Sequence, residues 1–381
     1  MPLISITGGR ALLPDGEAVA DLLLEDGRIA ALDGPTRGMR LDAAGLLVLP
    51  GIVDIHGDAF ERQIQPRPGV DFPIPLALRD TETQLLANGI TTAFHGVTLS
   101  WEPGLRGLPM WRALLDALGA GAWLCDMRVH LRWEAFNLDA LGTALDDIAS
   151  GRVHLLAFND HTPSILRKMK DPILGAKFSE RAGMTLDAFR AVAERVAEHA
   201  PAVPGGLDRI AAAARTAGLP IASHDDATLA DRDAFRARGA RICEFPMAEE
   251  VARAARAAGD AVVMGSPNVV RGRSHLGWAS ASRLAEAGIC TVLSSDYYYP
   301  AMLQAGLSMS GKMGLARAWS LIAAAPAAAA GLADRGRIAE GLRADVVVVD
   351  PESRCVVATM AGGRIAYLSA EGTSRLHAGL N

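Results

Sequence analysis

Between residues 50 and 335 eight short apolar runs alternate with helical stretches, and this feature constrains the fold more than any other. The runs are 47–56, 90–98, 127–134, 153–160, 219–225, 240–245, 261–267 and 290–296. Helix-like segments such as 185–199, 207–217, 247–258 and 278–287 lie between them. Repeated βα units of this number and spacing predict an α/β fold, a (β/α)8 TIM-like barrel. A doubly wound sheet is the structural alternative. It would carry a glycine-rich phosphate loop after its first strand, and neither GxGxxG nor GxxxxGK[ST] occurs.

The two ends of the chain read differently. Residues 21–25 run through Asp26-Gly27 into 28–32, and residues 356–360 run through Gly362-Gly363 into 364–368. Asp-Gly and Gly-Gly between apolar runs signal hairpins, because both turn positions must take positive φ. The segments DGRIAAL and GGRIAYL are near copies. A small β-sandwich domain built from 1–50 plus 336–381 is expected, beside a hydrolase barrel over 51–335.

Composition removes several function classes. Lys plus Arg is 38 and Asp plus Glu is 43, a net charge of −5. That balance speaks against a nucleic-acid or anionic-membrane surface. The four cysteines are scattered without a CxxC pair, so neither a disulfide framework nor a zinc ribbon is expected. MPLISITGGR lacks a basic segment followed by a long apolar one, and a cytoplasmic location is the expectation.

Barrel active sites form at the C-terminal ends of the strands. Five of the eight runs end in metal-capable side chains. The first ends His56-x-Asp58, the third Arg132-Trp133-Glu134, the fourth Asn159-Asp160-His161, the fifth Ser223-His224-Asp225-Asp226 and the eighth Ser294-Ser295-Asp296. Residues i and i+2 of a strand share a face, so His56 and Asp58 can chelate one ion. His56, Asp58, Glu134, His161, His224 and Asp296 are therefore the expected ligands of one or two divalent ions, Zn, Mn, Fe or Mg. None of the four lysines closes a strand, which makes Glu134 the better candidate for a bridging or second-site ligand, with a surface glutamate as the alternative. His95, Arg132 and Asn268 are placed at the pocket. His130 can equally be a hydrogen-bonded interior histidine, and His95 a packing one. His154 opens a strand and reads as structural; His199 and His377 read as solvated.

Basic residues gather on the same rim. Arg271, Arg273 and His275 follow the seventh run, Arg62 and Arg67 the first, and Lys168, Lys170 and Lys177 the fourth. Arg67, Lys168, Lys170, Arg271, Arg273 and His275 are the candidate phosphate binders, since guanidinium forks match phosphate oxygens. A small phosphorylated substrate is the expected partner, with no nucleic acid and no membrane; self-association is left open. No GxSxG elbow supports a serine nucleophile.

The entry segment PGIVDIHGD, the aspartate after the eighth run and the two-ended β-domain resemble the amidohydrolase superfamily. HLRWE, NDHTPS, IASHDDAT, EFPM, MGSPNVVRGRSH and LSSDYYYPAML are similar to the ribosyl triphosphate diphosphatases of the bacterial C–P lyase pathway, over about residues 50–305. Asp58 stands where the superfamily usually has a second histidine, and the sixth run offers Glu244 in place of a histidine; His161 would supply the missing imidazole. The resemblance implies metal-dependent hydrolysis of a ribosyl 5-triphosphate to the 5-phosphate and pyrophosphate, in phosphonate catabolism. It implies Asp296 as general base as well as ligand. The alternatives are an amidohydrolase that cleaves a cyclic amide or deaminates a nucleobase, and a non-catalytic barrel.

Overall fold

The protein is described by a computed structural model over residues 3–272 and 280–378. Among these residues the strands fall into two sheets, one of eight strands and one of nine. The eight-stranded sheet is all parallel, and its strands neighbour one another in chain order: Ile52–Gly57, Ile90–Leu99, Asp126–Glu134, Leu155–Asn159, Ile221–His224, Ile242–Glu244, Ala261–Gly265 and Val292–Ser294. It closes through a parallel bridge between Gly57 and Asp296. Asp58 N–H donates to the Asp296 carbonyl and Asp296 N–H to the His56 carbonyl, each at 2.9 Å. This is the expected (β/α)8 barrel.

The second sheet joins both ends of the chain. Ile4–Leu13 pairs with Gly16–Glu25, and Leu47–Pro50 pairs with Val346–Val349, which continues through Val356–Ala361 to Arg364–Leu368. Asp26 and Gly27 take φ of 48° and 81°, and Gly362 and Gly363 take 54° and 72°, as a mirror-image hairpin turn requires. The first apolar run is split. Leu47–Pro50 belongs to the terminal sheet and the barrel begins at Ile52. The seventh strand stops at Gly265, because Pro267 sits in the first turn of the helix Ser266–Arg271.

The floor of the barrel is apolar. Val53, Ile55, Phe94, Leu155, Ala157, Ala222, Ile242, Val263 and Val292 form one buried cluster. The next inward positions are polar: His56, Arg132, His224 and Glu244. Strict alternation would put His56 on the face opposite Ile55. A register shift between Asp54 and Gly57 adds one residue against the second strand and brings both inward. Bulges re-aim side chains in this way. Gly57 is required there, since a Cβ would lie 2.7 Å from Asp54 Oδ2 and 2.8 Å from Ser295 Oγ. At the opposite end, buried Arg335 bonds Thr92 Oγ1 and Asp126 Oδ2, pinning the chain where it leaves the barrel. Among the described residues no helix is long and apolar enough to cross a membrane.

Candidate active site

Three imidazoles and one carboxylate meet above the apolar floor. Glu244 is fully buried, and its Oε2 lies 2.9 Å from His56 Nδ1 and 3.4 Å from His224 Nδ1. The His56 and His224 rings stack at 5.2 Å, and His130 meets His56 edge-on at 5.1 Å. His130 Nδ1 donates to the Ile55 carbonyl. Arg132 reaches between two strands: Nη2 is 3.0 Å from His224 Nε2 and Nη1 is 3.5 Å from Asp58 Oδ2. Its guanidinium is a fixed cation at the centre of the site. On the far side His161 lies next to Glu134, whose Oε1 accepts from His161 N–H, Thr162 N–H and the Thr162 hydroxyl, and whose Oε2 is 3.2 Å from His161 Nδ1.

Backbone strain is concentrated at the same strand ends. Asp225, Phe245 and Asp296 all have positive φ, 58°, 50° and 56°. Non-glycine residues hold such values at a cost, and only where the surroundings enforce them. They follow the fifth, sixth and eighth strands and turn their side chains over the barrel mouth.

Burial opposes charge of either sign here. It pushes Asp296 up to about 7, with Asp58 adding to the effect, and Glu244 up to about 7. Asp58 and Asp225 are also raised by burial. His56 is pushed down to about 3 by burial and Arg132, and His224 falls well below its usual value for the same reasons. Ionising this set needs more positive charge than Arg132 supplies. Two groupings bring metal-capable atoms within 4.8 Å of one another: His56, His224 and Glu244, and His161, His224 and Asp225. Neutral imidazoles with carboxylates suit divalent transition metals, so the residues fit a metal centre of one or two ions.

A pH effect follows. The metal-free fold carries a proton on Asp296 up to about pH 7. A raised carboxyl pKa contributes stability that is full at low pH and is lost as pH rises from about 4 towards 7. Metal binding must displace that proton, so ions bind more tightly as pH rises through 7, while the already neutral His56 and His224 add nothing. Chelation should therefore lower Tm, and the Tm gained on adding back zinc or manganese should grow between pH 6 and pH 8. An ion held at 100 times its Kd contributes about 2.7 kcal/mol. A gain that is flat with pH would contradict this.

Several expected site residues lie elsewhere or do other work. His95 is not in the pocket. It follows strand alternation beside Gly96, where a Cβ would lie 3.1 Å from Arg132 Cδ, so Gly96 faces the axis and His95 faces out against Phe60 at 5.1 Å. Asn268 spends its amide oxygen on Ala281 N–H, at the start of the helix Ala281–Glu286. His154 accepts from Val129 N–H. His199 is half-buried, its Nδ1 3.3 Å from the Phe136 carbonyl, not simply solvated. Lys170 and Arg67 are exposed, and Arg67 pairs with Val70 across a tight turn. Arg271 bonds the Tyr297 hydroxyl at 3.3 Å and Arg62 lies over the Tyr297 ring, which gathers both cations around the Tyr297 side chain. Arg273 and His275 lie outside the described residues.

A cavity of about 580 Å³ opens from the cluster. His161, His224 and Asp225 line it together with Ser164, Arg167 and Lys168 of the helix Thr162–Lys168. Asp225 closes the fifth run among metal-capable residues but is not one of the expected ligands, and Arg167 is not one of the expected phosphate binders. Asp225 differs from Asp226 only in where it points: Asp226 is turned inward to Ser223 and Arg232. Arg167 lies one turn after Ser164, a spacing that could have flagged it.

The fold, a (β/α)8 barrel beside a sheet built from both ends of the chain, is one shared with solved amidohydrolases. An amidohydrolase from a Sargasso Sea environmental sample superposes with a TM-score of 0.64 at 15% identity, covering 96% of this chain and 93% of that one. The alpha-D-ribose 1-methylphosphonate 5-triphosphate diphosphatase of Escherichia coli (strain K12) is 33% identical over 318 residues, 81% of this chain and 84% of that protein. The chain belongs to that diphosphatase family. The dihydropyrimidinase of Rattus norvegicus is 52% identical over 59 residues, 13% of this chain and 11% of that protein. No family model matches the chain.

Proposed function

We propose that this hydrolase cleaves a ribosyl 5-triphosphate, alpha-D-ribose 1-methylphosphonate 5-triphosphate, to the 5-phosphate and pyrophosphate, in phosphonate catabolism in the cytoplasm. The observation that carries the reading is the shared cavity: metal-capable His161, His224 and Asp225 line the same wall as Ser164, Arg167 and Lys168. An amide substrate gives those two cations no task, whereas a polyphosphate does. The name of the Escherichia coli relative supports the same substrate.

Bound zinc, manganese, iron or magnesium would lower the pKa of water and screen the phosphate charge. The chain's own residues do the rest. Arg167 and Lys168 hold the terminal phosphates and stabilise the departing pyrophosphate, each charge-assisted contact being worth roughly 1.5–3 kcal/mol. Asp296 takes the proton of the attacking water. Held this way, the substrate presents its α-phosphorus to the site.

Hydrolysis in ¹⁸O water, followed by ³¹P NMR, tests it. The expected result is label in the sugar 5-phosphate and unlabelled pyrophosphate. Orthophosphate release would refute cleavage between the α and β phosphates. Turnover of a dihydropyrimidine or hydantoin with none of the triphosphate would establish the cyclic-amide alternative.

A further inference from the structure

We propose that Glu244 is a positioning residue: its carboxylate holds His56 and His224 with the proton on Nδ1, so that both turn Nε2 to the metal centre. The inference rests on the reading of the site as metal-dependent, but not on the identity of the substrate.

Three observations carry it. The first is the contact itself, one wholly buried oxygen between two Nδ1 atoms at 2.9 and 3.4 Å. In the ionised form that a bound divalent ion would favour, the carboxylate only accepts, so each ring nitrogen facing it donates. The second is independent. Arg132 Nη2 lies 3.0 Å from His224 Nε2, and a guanidinium only donates. His224 Nε2 therefore carries the lone pair, which a bound ion would take over from Arg132, and its proton must sit on Nδ1, facing Glu244. The third is the mould around the pair. The His56 and His224 rings stack within 14° of parallel, and Phe245 meets both edge-on at 4.8 and 5.2 Å. Phe245 is held at positive φ in the position after Glu244. The end of the sixth strand thus supplies both the acceptor that sets the tautomers and the ring that sets the planes.

His130 takes no share of this bond. Its Nε2 is 3.9 Å from Glu244 Oε2, beyond hydrogen-bonding distance. The superfamily's usual strand-six histidine is thereby replaced by a carboxylate acting through two other histidines. Carboxylate–histidine–metal relays fix ring orientation and raise ligand basicity, and their loss typically costs 10–100-fold in metal affinity.

The test uses the intact protein loaded with zinc and labelled with ¹⁵N-histidine. Long-range ¹H–¹⁵N spectra should show His56 and His224 protonated on Nδ1 with Nε2 shifted by the metal, the signals being assigned by their disappearance in His56→Gln and His224→Gln. Glu244→Gln keeps an accepting oxygen but loses the carboxylate charge that raises the basicity of both rings, and competition with a chromophoric chelator should show zinc bound roughly 10–100-fold more weakly, with full stoichiometry at saturating zinc. Metal on Nδ1 of either ring would overturn the proposal. So would unchanged affinity in a folded Glu244→Gln, or loss of a whole zinc equivalent at saturation, which would make Glu244 a ligand. The wild-type spectrum decides the matter even if the variant does not fold. Failure to cleave a triphosphate would remove the substrate reading and leave this result standing.

Discussion

Asp296→Asn is expected to fold and to lose roughly 10²–10⁴ in turnover, the usual cost of removing a general base, and more where loss of this ligand also weakens metal binding. The folding expectation comes from the backbone. Asp296 sits at φ 56°, and asparagine tolerates the left-handed region as well as aspartate does. The two hydrogen bonds that close the barrel at this point use its main chain and not its side chain. The loss of turnover comes from the carboxyl. Burial and Asp58 raise it to about 7 before an ion binds. Steady-state kinetics, a melting curve and a metal assay on the same preparation check all three parts. Near wild-type kcat with full metal occupancy would end the assignment.

The largest effect on stability is expected at Arg232. Its side chain is 2% exposed, yet both of its terminal nitrogens are hydrogen-bonded. Nη1 donates to Ser223 Oγ at 2.6 Å and to Asp226 Oδ2 at 3.1 Å, Nη2 donates to the Ala240 carbonyl at 2.6 Å, and Nε lies 3.7 Å from Asp260. Asp226 and Asp260 are themselves buried. Arg232→Met would leave two carboxylates in the interior without their guanidinium, and breaking such a pair costs about 3–5 kcal/mol. At about 2.1 cal/mol/K per residue, a chain of this length should lose about 4–6 °C in Tm. Arg232→Lys should not rescue it, because one ammonium cannot span these acceptors. Adding Asp226→Asn should recover part of the loss. Since Asp226 follows His224 and Asp225, metal affinity should fall as well. A Tm within about 1 °C of wild type would show that the network contributes little.

What was legible in the sequence was local. The alternation of apolar runs with helices specifies a barrel because each βα unit declares itself within about thirty residues. The Asp26-Gly27 and Gly362-Gly363 turns were legible because only positive φ at both positions closes so tight a hairpin. The placing of His56, His161, His224 and Asp296 at strand ends followed from the rule that barrel chemistry sits at that rim. The tertiary structure decided which face each side chain shows. His95 and His130 both lie within apolar runs, and only the closed barrel shows one turned out against Phe60 and the other in towards Glu244. The bulge at Asp54–Gly57 turns His56 inward against simple alternation, and it exists only in the pairing of the first strand with the second. Glu244 reads as one more strand-end acid until five strands of separation in sequence become 2.9 Å in space, and Arg132 as a charge near the rim until it meets His224. Composition and periodicity record whether a segment is strand or helix, because that depends on neighbours in the chain. Which groups share a proton or an ion depends on barrel closure and strand register, which set distances between residues that no local pattern relates.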